Sequence, residues 1–146
     1  MMEFDALARA RDSFGRQSAM TTVGAAITEI GPGRVTIAMP AAPHILQQHG
    51  FVHGGVIGMI ADSACGYAAL SLMPADKAVL TGEYKINFVS PAAAPHFEAV
   101  GRVIRAGRRQ HVVQGEVFGI DGEKRKLVAI MLATMLVLEQ DGALKD

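Results

Sequence analysis

The sequence predicts an α+β protein in which an antiparallel sheet of about six strands curls around one long central helix. Three observations carry this. A nearly unbroken apolar run from about Gly54 to Leu72 has the length of a helix and stops before Pro74. About six shorter runs of strand character flank it, separated by Gly, Pro and Asp-Gly punctuation. Most of those separations are tight turns, which join antiparallel neighbours. A single apolar helix cannot hide all its faces alone, and a curled sheet would cover it.

From the N-terminus, "FDALARARDSFG" alternates apolar and charged residues at helical spacing, giving a short amphipathic helix from about Phe4 to Phe14. "TTVGAAITEI" and "GRVTIAMP" read as two strands around the turn "GPG", with Val35, Ile37 and Met39 on one face. Pro40 and Pro43 end the pair and open an irregular loop through "HILQQHGFV". Beyond the central helix come "AVLTGEYKINFV", "HFEAVGRVIRAG", "RQHVVQGEVFGI" and "KLVAIMLATMLVL". In the first of these Tyr84, Ile86 and Phe88 alternate with Glu83, Lys85 and Asn87, the pattern of a half-buried strand. "IDGEKRK" is a hairpin signal, because Asp-Gly tolerates positive φ. On the helix, Gly58, Ala61, Ala64, Gly66, Ala68 and Ala69 leave room for a sheet or a partner helix to come close.

A chain of 146 residues without internal repeats is expected to form one domain, and half of it is hydrophobic, enough for a core. Fourteen basic residues balance fourteen acidic ones, which argues against nucleic acid as a partner. The basic runs "RAGRRQH" and "EKRK" read as solvated turns. A lone cysteine, Cys65, excludes an intrachain disulfide and fits a reducing compartment. The first residues lack the pattern of a secretory signal, so a cytoplasmic location is expected. Val56 to Leu72 is short for a membrane span and contains Asp62, so no membrane partner is expected.

The chemistry concentrates in "HGGVIGMIADSACGYAAL". The start of a helix carries amides without intrahelical partners and the positive end of the peptide dipole. Gly54 and Gly55 there remove side chains that would block a ligand, so the site suits an anion or a carbonyl oxygen becoming one. Asp62 is a carboxylate in an otherwise apolar helix. It is either neutralised by a core hydroxyl or backbone group, or it serves as a general base or nucleophile. Gly54 and Asp62 are eight positions apart, roughly 12 Å along a helix. They cannot act on one carbonyl from the same chain. Joint action requires a dimer with antiparallel helices and two identical sites.

"QQHGFVHGGVIGMIADSACGYAAL" followed by "YKINFVSPA" resembles the hotdog-fold acyl-CoA thioesterases of the PaaI-like branch, over about Val23 to Leu138. The resemblance implies a helix wrapped by an antiparallel sheet, dimers that pair into tetramers, and hydrolysis of a CoA thioester without metal or other cofactor. It gives Gly54 the role of polarising the thioester carbonyl, His53 that of shaping the turn, and Asp62 that of base or nucleophile. Thr81 falls where some relatives carry a hydroxyl that helps hold the attacking water. Gln47 stands where many PaaI-like enzymes have asparagine beside the thioester oxygen. A glutamine there is similar instead to the 4-hydroxybenzoyl-CoA thioesterase pattern, which leaves the contact between Gln47 and Gln48. Arg105, Arg108 and Arg109 are candidates for the CoA phosphates, and Phe51, Met59 and Tyr67 for the acyl pocket.

Other readings are weaker on particular residues. His49 and His53 lie four apart, but Gly50 stands where a zinc-protease motif needs glutamate. Cys65 has the alanine-rich flanks of a buried, inert thiol. A hydroxyacyl-thioester dehydratase of the same fold pairs its histidine with an acid differently. A non-catalytic acyl-CoA-binding protein would have no need of Asp62.

Overall fold

A computed structural model describes residues 4–146; Met1–Glu3, on which the expectation about a leader partly rests, lie outside it. The N-terminal helix α1 runs Ala6–Gly15 and starts where Asp5 accepts the amides of Leu7 and Ala8, each at 3.0 Å. A second short helix follows, α2 (Ser18–Val23), where the sequence reading expected a strand to begin. Thr21, Thr22 and Val23 have strand propensity, but Gly24 adopts φ 73° and returns its amide to the Thr21 carbonyl, a helix C-cap. The first strand, β1 (Ala26–Gly31), therefore starts only after it.

The remaining elements are β2 (Arg34–Pro40), the central helix α3 (Gly54–Leu70), β3 (Lys77–Phe88), β4 (His96–Ala106), β5 (Gln110–Asp121) and β6 (Lys124–Glu139). The helix ends at Leu70, two residues short of the expected Leu72, and is capped by Ser71, whose hydroxyl donates to the Ala68 carbonyl at 2.7 Å. All six strands form one antiparallel sheet in the order β1-β2-β4-β5-β6-β3. The strand that follows the helix thus lies at the far edge. The β5–β6 hairpin closes through Gly122 and Glu123; only the glycine takes positive φ, at 60°, because it leads the two-residue turn.

The sheet curls around α3, and the two meet backbone to backbone. Val35, Ile37 and Met39 are buried beneath the helix, as their shared face implies. Gly101 of β4 and Gly115 of β5 are cross-strand partners under the small face formed by Ala61, Ala64 and Cys65. A Cβ on Gly101 would lie 2.3 Å from the Ala64 carbonyl oxygen, and one on Gly115 would lie 2.9 Å from Cys65 Sγ.

Arg9 of α1 locks the far end of the helix. Its guanidinium donates to the carbonyls of Leu70, Met73, Pro74 and Lys77 at 3.0–3.1 Å, which covers the frayed end of α3 and the entry to β3 together. That clamp fixes where β3 begins relative to the helix, and so which β3 residues stand beside which helix residues.

Because backbone rather than a flexible side chain opposes Gly101, Gly101→Ala is expected to cost more than about 3 kcal/mol or to abolish folding. Gly31→Ala, which meets nothing within 4 Å, is expected to stay within about 0.5 kcal/mol. Urea unfolding midpoints of the two variants provide the comparison.

Candidate active site

The loop before α3 is braced by its own polar groups. Gln47 Oε1 accepts the amides of His49 and Phe51, while the Gln47 amide donates to the Phe51 carbonyl at 2.8 Å. His53 then serves as the N-cap: its Nδ1 accepts the Gly55 amide at 2.8 Å, and its carbonyl accepts the amides of Val56 and Ile57. A neutral His53 ring therefore carries its proton on Nε2. The two glycines, equal in sequence, are now distinct. Gly55 has given its amide to His53, whereas the Gly54 amide has no hydrogen-bond partner among the described residues. A Cβ on Gly54 would come 3.2 Å from the Phe88 ring, so the half-exposed ring would have to give by a few tenths of an ångström to admit one.

Asp62 stands one residue, or 100° of helix rotation, from Ala61 on the sheet-facing side. It therefore projects sideways toward β3, where Thr81 Oγ1 donates to its Oδ1 at 2.7 Å. A break in the β3–β6 register between Thr81 and Glu83 makes this possible. With strict alternation, Thr81 would share a face with Glu83, Lys85 and Asn87. The bulge at Gly82 resets the phase, so that Thr81 and then Tyr84, Ile86 and Phe88 all address the helix. β3 runs antiparallel to α3: Thr81 meets Asp62, Tyr84 and Ile86 approach Gly58, and Phe88 covers Gly54. A lone glycine inside a strand was the available signal for this bulge.

Burial raises the Asp62 pKa above the usual carboxylate range, and the Thr81 hydrogen bond pulls it partly back. Cys65 is wholly buried and its thiol is pushed up to about 12, first by burial and then by the nearby Asp62 charge. It stays protonated. No three His, Cys, Asp or Glu side chains among the described residues are grouped to hold a metal ion.

Asp62 and Thr81 open onto a cavity of about 260 Å³ whose other polar walls are Gln17, Ser63, Tyr67 and Asp146. Gln17, Ser63 and Asp146 were not legible as site residues, because only folding brings positions 17, 63 and 146 together. Phe51 and Met59 do not line this cavity; Phe51, Gln47 and the exposed Gln48 lie in the loop before Gly54, and Met59 on the helix between Gly54 and Asp62. Arg105, Arg108 and Arg109 share a separate depression of about 410 Å³ with Gly107, Gln110 and Val112 at the β4–β5 turn. The half-buried pattern expected of β3 is incomplete in the single chain: Tyr84 remains 46% and Phe88 52% exposed, on a strand with no neighbouring strand on its outer side among the described residues.

Comparison with known proteins agrees with this architecture. The family model described as the thioesterase superfamily matches residues 49–126. A thioesterase family protein of Silicibacter pomeroyi of known structure is 41% identical, with a TM-score of 0.91 over 92% of this chain and 99% of that one. A Saccharolobus solfataricus protein named as an esterase is 33% identical over 66% of this chain and 69% of its own. A 1,4-dihydroxy-2-naphthoyl-CoA hydrolase of Listeria monocytogenes is 25% identical over 80% of this chain and 92% of its own. The helix-wrapping antiparallel sheet, the matching family model and these relatives together place the chain in the thioesterase superfamily, as a thioester hydrolase of the hotdog fold.

Proposed function

We propose that the chain is one acyl-CoA thioesterase domain that hydrolyses a CoA thioester to the free acid and CoA at sites shared between two copies. The observation that carries this reading is the pairing of an unspent Gly54 amide with a desolvated, Thr81-bonded Asp62. The two lie roughly 12 Å apart along one helix, so the Gly54 that serves a given Asp62 comes from a second copy. The unpaired β3 edge, with Leu80, Tyr84 and Phe88 exposed at 46, 46 and 52%, supports dimerisation there. Pairing of two such dimers, which the resemblance implies, is supported by Ile130 and Leu132 on the outer face of the sheet.

In the base route, Asp62 takes a proton from water and the hydroxide adds to the acyl carbon. Thr81, having spent its proton on Asp62, accepts from that water. The oxyanion is held by the Gly54 amide and the helix dipole of the second copy. Collapse breaks the carbon–sulfur bond, and the departing thiolate recovers the proton from Asp62. In the nucleophilic route, Asp62 attacks the carbon itself, expels CoA and forms an anhydride that water then cleaves. A single turnover in oxygen-18 water tests the anhydride: label in Asp62 requires it, whereas the base route puts label in the product acid alone, as does water attack on the acyl side of the anhydride. Gln47 commits its Oε1 to the loop, which leaves its amide nitrogen to face the thioester, with Gln48 as the other donor. Arg105, Arg108 and Arg109 are assigned to the CoA phosphates.

Asp62→Asn is expected to remove nearly all thiol release from acyl-CoA while keeping the fold, since an amide oxygen still accepts from Thr81. A folded-state pKa raised above the unfolded value means that ionising Asp62 weakens the fold as pH rises through that interval. The variant should therefore melt at an equal or higher temperature than wild type at pH 7, with the difference shrinking on acidification. Unchanged activity would remove Asp62 from the mechanism.

Since either route needs the carboxylate, kcat/KM is expected to fall on the acid side at a pH above the ordinary carboxylate value of about 3.9. Thr81→Val deletes a bond that favours the ionised form, so its acid limb should move further up in a pH–rate profile.

A further inference from the structure

The cavity beside Asp62 has an inner wall whose hydrogen bonds run in one direction. Ser13 Oγ donates to Asp146 Oδ1 at 2.8 Å and lies 3.3 Å from the Tyr67 hydroxyl. Ser13 has a single hydroxyl proton, and Asp146 takes it. The Tyr67 proton therefore goes to Ser13, and the phenol oxygen keeps its lone pairs for something else. Burial holds the phenol protonated by raising its pKa, and Phe14 packs edge-on against the ring at 5.5 Å, fixing its direction. Asp146 is anchored from the other side, its Oδ2 accepting the Val79 amide at 2.8 Å. Each of its oxygens still has an accepting position. Across the cavity, Gln17 Oε1 receives Ser63 Oγ at 3.2 Å, so the free end of Gln17 is its amide nitrogen.

Apart from that amide, the end of the cavity offers acceptors that each keep a lone pair beyond their protein partner. It is a built arrangement from four parts of the chain. Tyr67 stands five residues beyond Asp62, roughly 7.5 Å along the helix. At about 260 Å³ the space lies below the 300–1,000 Å³ usual for drug-sized ligands, which suits a compact group.

We infer that this cavity is the acyl chamber and that Tyr67 and Asp146, joined through Ser13, select a short acyl group ending in a hydroxyl. The assignment rests on the reading of Asp62 given above. The hydroxyl donates to Asp146 or Tyr67 and accepts from Gln17. An unsubstituted acyl end offers nothing to the remaining hydrogen-bonding positions of those groups, and a carboxylate end meets the Asp146 charge. The preferred order is hydroxyacyl, then plain acyl, then carboxyacyl.

The test is kcat/KM on three six-carbon thioesters, 6-hydroxyhexanoyl-CoA, hexanoyl-CoA and adipoyl-CoA, with the full chain and with Tyr67→Phe and Asp146→Ala, each checked for its melting transition. The hydroxyacyl substrate should lead hexanoyl-CoA by about tenfold or more. Tyr67→Phe should cut that ratio several-fold, and Asp146→Ala should cut it and also raise adipoyl-CoA relative to hexanoyl-CoA. A wild-type ratio near one, or a ratio unmoved in both folded variants, overturns the inference while leaving the Asp62 reading intact. If no thioester turns over, that reading fails, and binding of the free acids decides the chamber. Tighter binding of 6-hydroxyhexanoate than hexanoate, lost in Tyr67→Phe, sustains it; equal binding overturns it.

Discussion

Gly101 and Gly115 face each other across β4 and β5, and α3 rests on them with no side chain between at the closest point. This contact sets the depth at which the helix lies in the curl of the sheet. It also sets the helix's rotation, because only the face of Ala61, Ala64 and Cys65 is small enough to reach the glycines. Once that face is turned to the sheet, Asp62 has one direction left: along the sheet surface, toward the β3 edge. The same depth lets β3 run close beside the helix, so that Phe88 covers Gly54 and Thr81 reaches Asp62. Helix packing density and chemistry are one arrangement.

The arrangement carries a cost that suits a working site better than a merely stable one. Asp62 lies in surroundings that favour its neutral form, with one hydroxyl in partial compensation. Its neighbour Cys65, more deeply buried, is inert because nothing nearby stabilises a thiolate and Asp62 opposes one. At the helix start the logic is complementary. His53 takes up the Gly55 amide and fixes the turn, and the Gly54 amide has no partner among the described residues. Proteins commonly place their least comfortable groups where function needs them.

Much of this was legible in the amino-acid sequence, and what was not has identifiable physical reasons. The central helix, the acid within it and the tight hairpins follow from apolar periodicity and turn chemistry, which are local. The strand order is not local: β3 follows the helix in sequence yet pairs with β6, a choice made by long-range register. The helix α2 was hidden because Thr-Thr-Val favours a strand until the Gly24 cap is considered. Gly82 could have been read as a bulge, and doing so would have placed Thr81 on the helix side with Tyr84 rather than opposite it. The resemblance singles out Gly54 over Gly55, but the physical difference between them, the Gly55 amide taken by His53, shows only with that side chain in place. The Tyr67–Ser13–Asp146 chain had no sequence signal, since its members come from three distant segments.

The central claim is that one copy supplies the carboxylate and another the amide. The most direct measurement uses two proteins, each broken at one half. Asp62→Asn removes the carboxylate. Gly54→Pro deletes the amide at the first helical position, where proline is tolerated and where His53, at φ −57° and ψ 134°, already has the conformation a following proline requires. Each variant alone should be inactive. Unfolded and refolded together in equal amounts, they should recover about a quarter of wild-type thiol release, because half the dimers are mixed and each of those holds one intact site of two. Activity that stays absent in a mixture shown to contain mixed dimers would contradict the shared site.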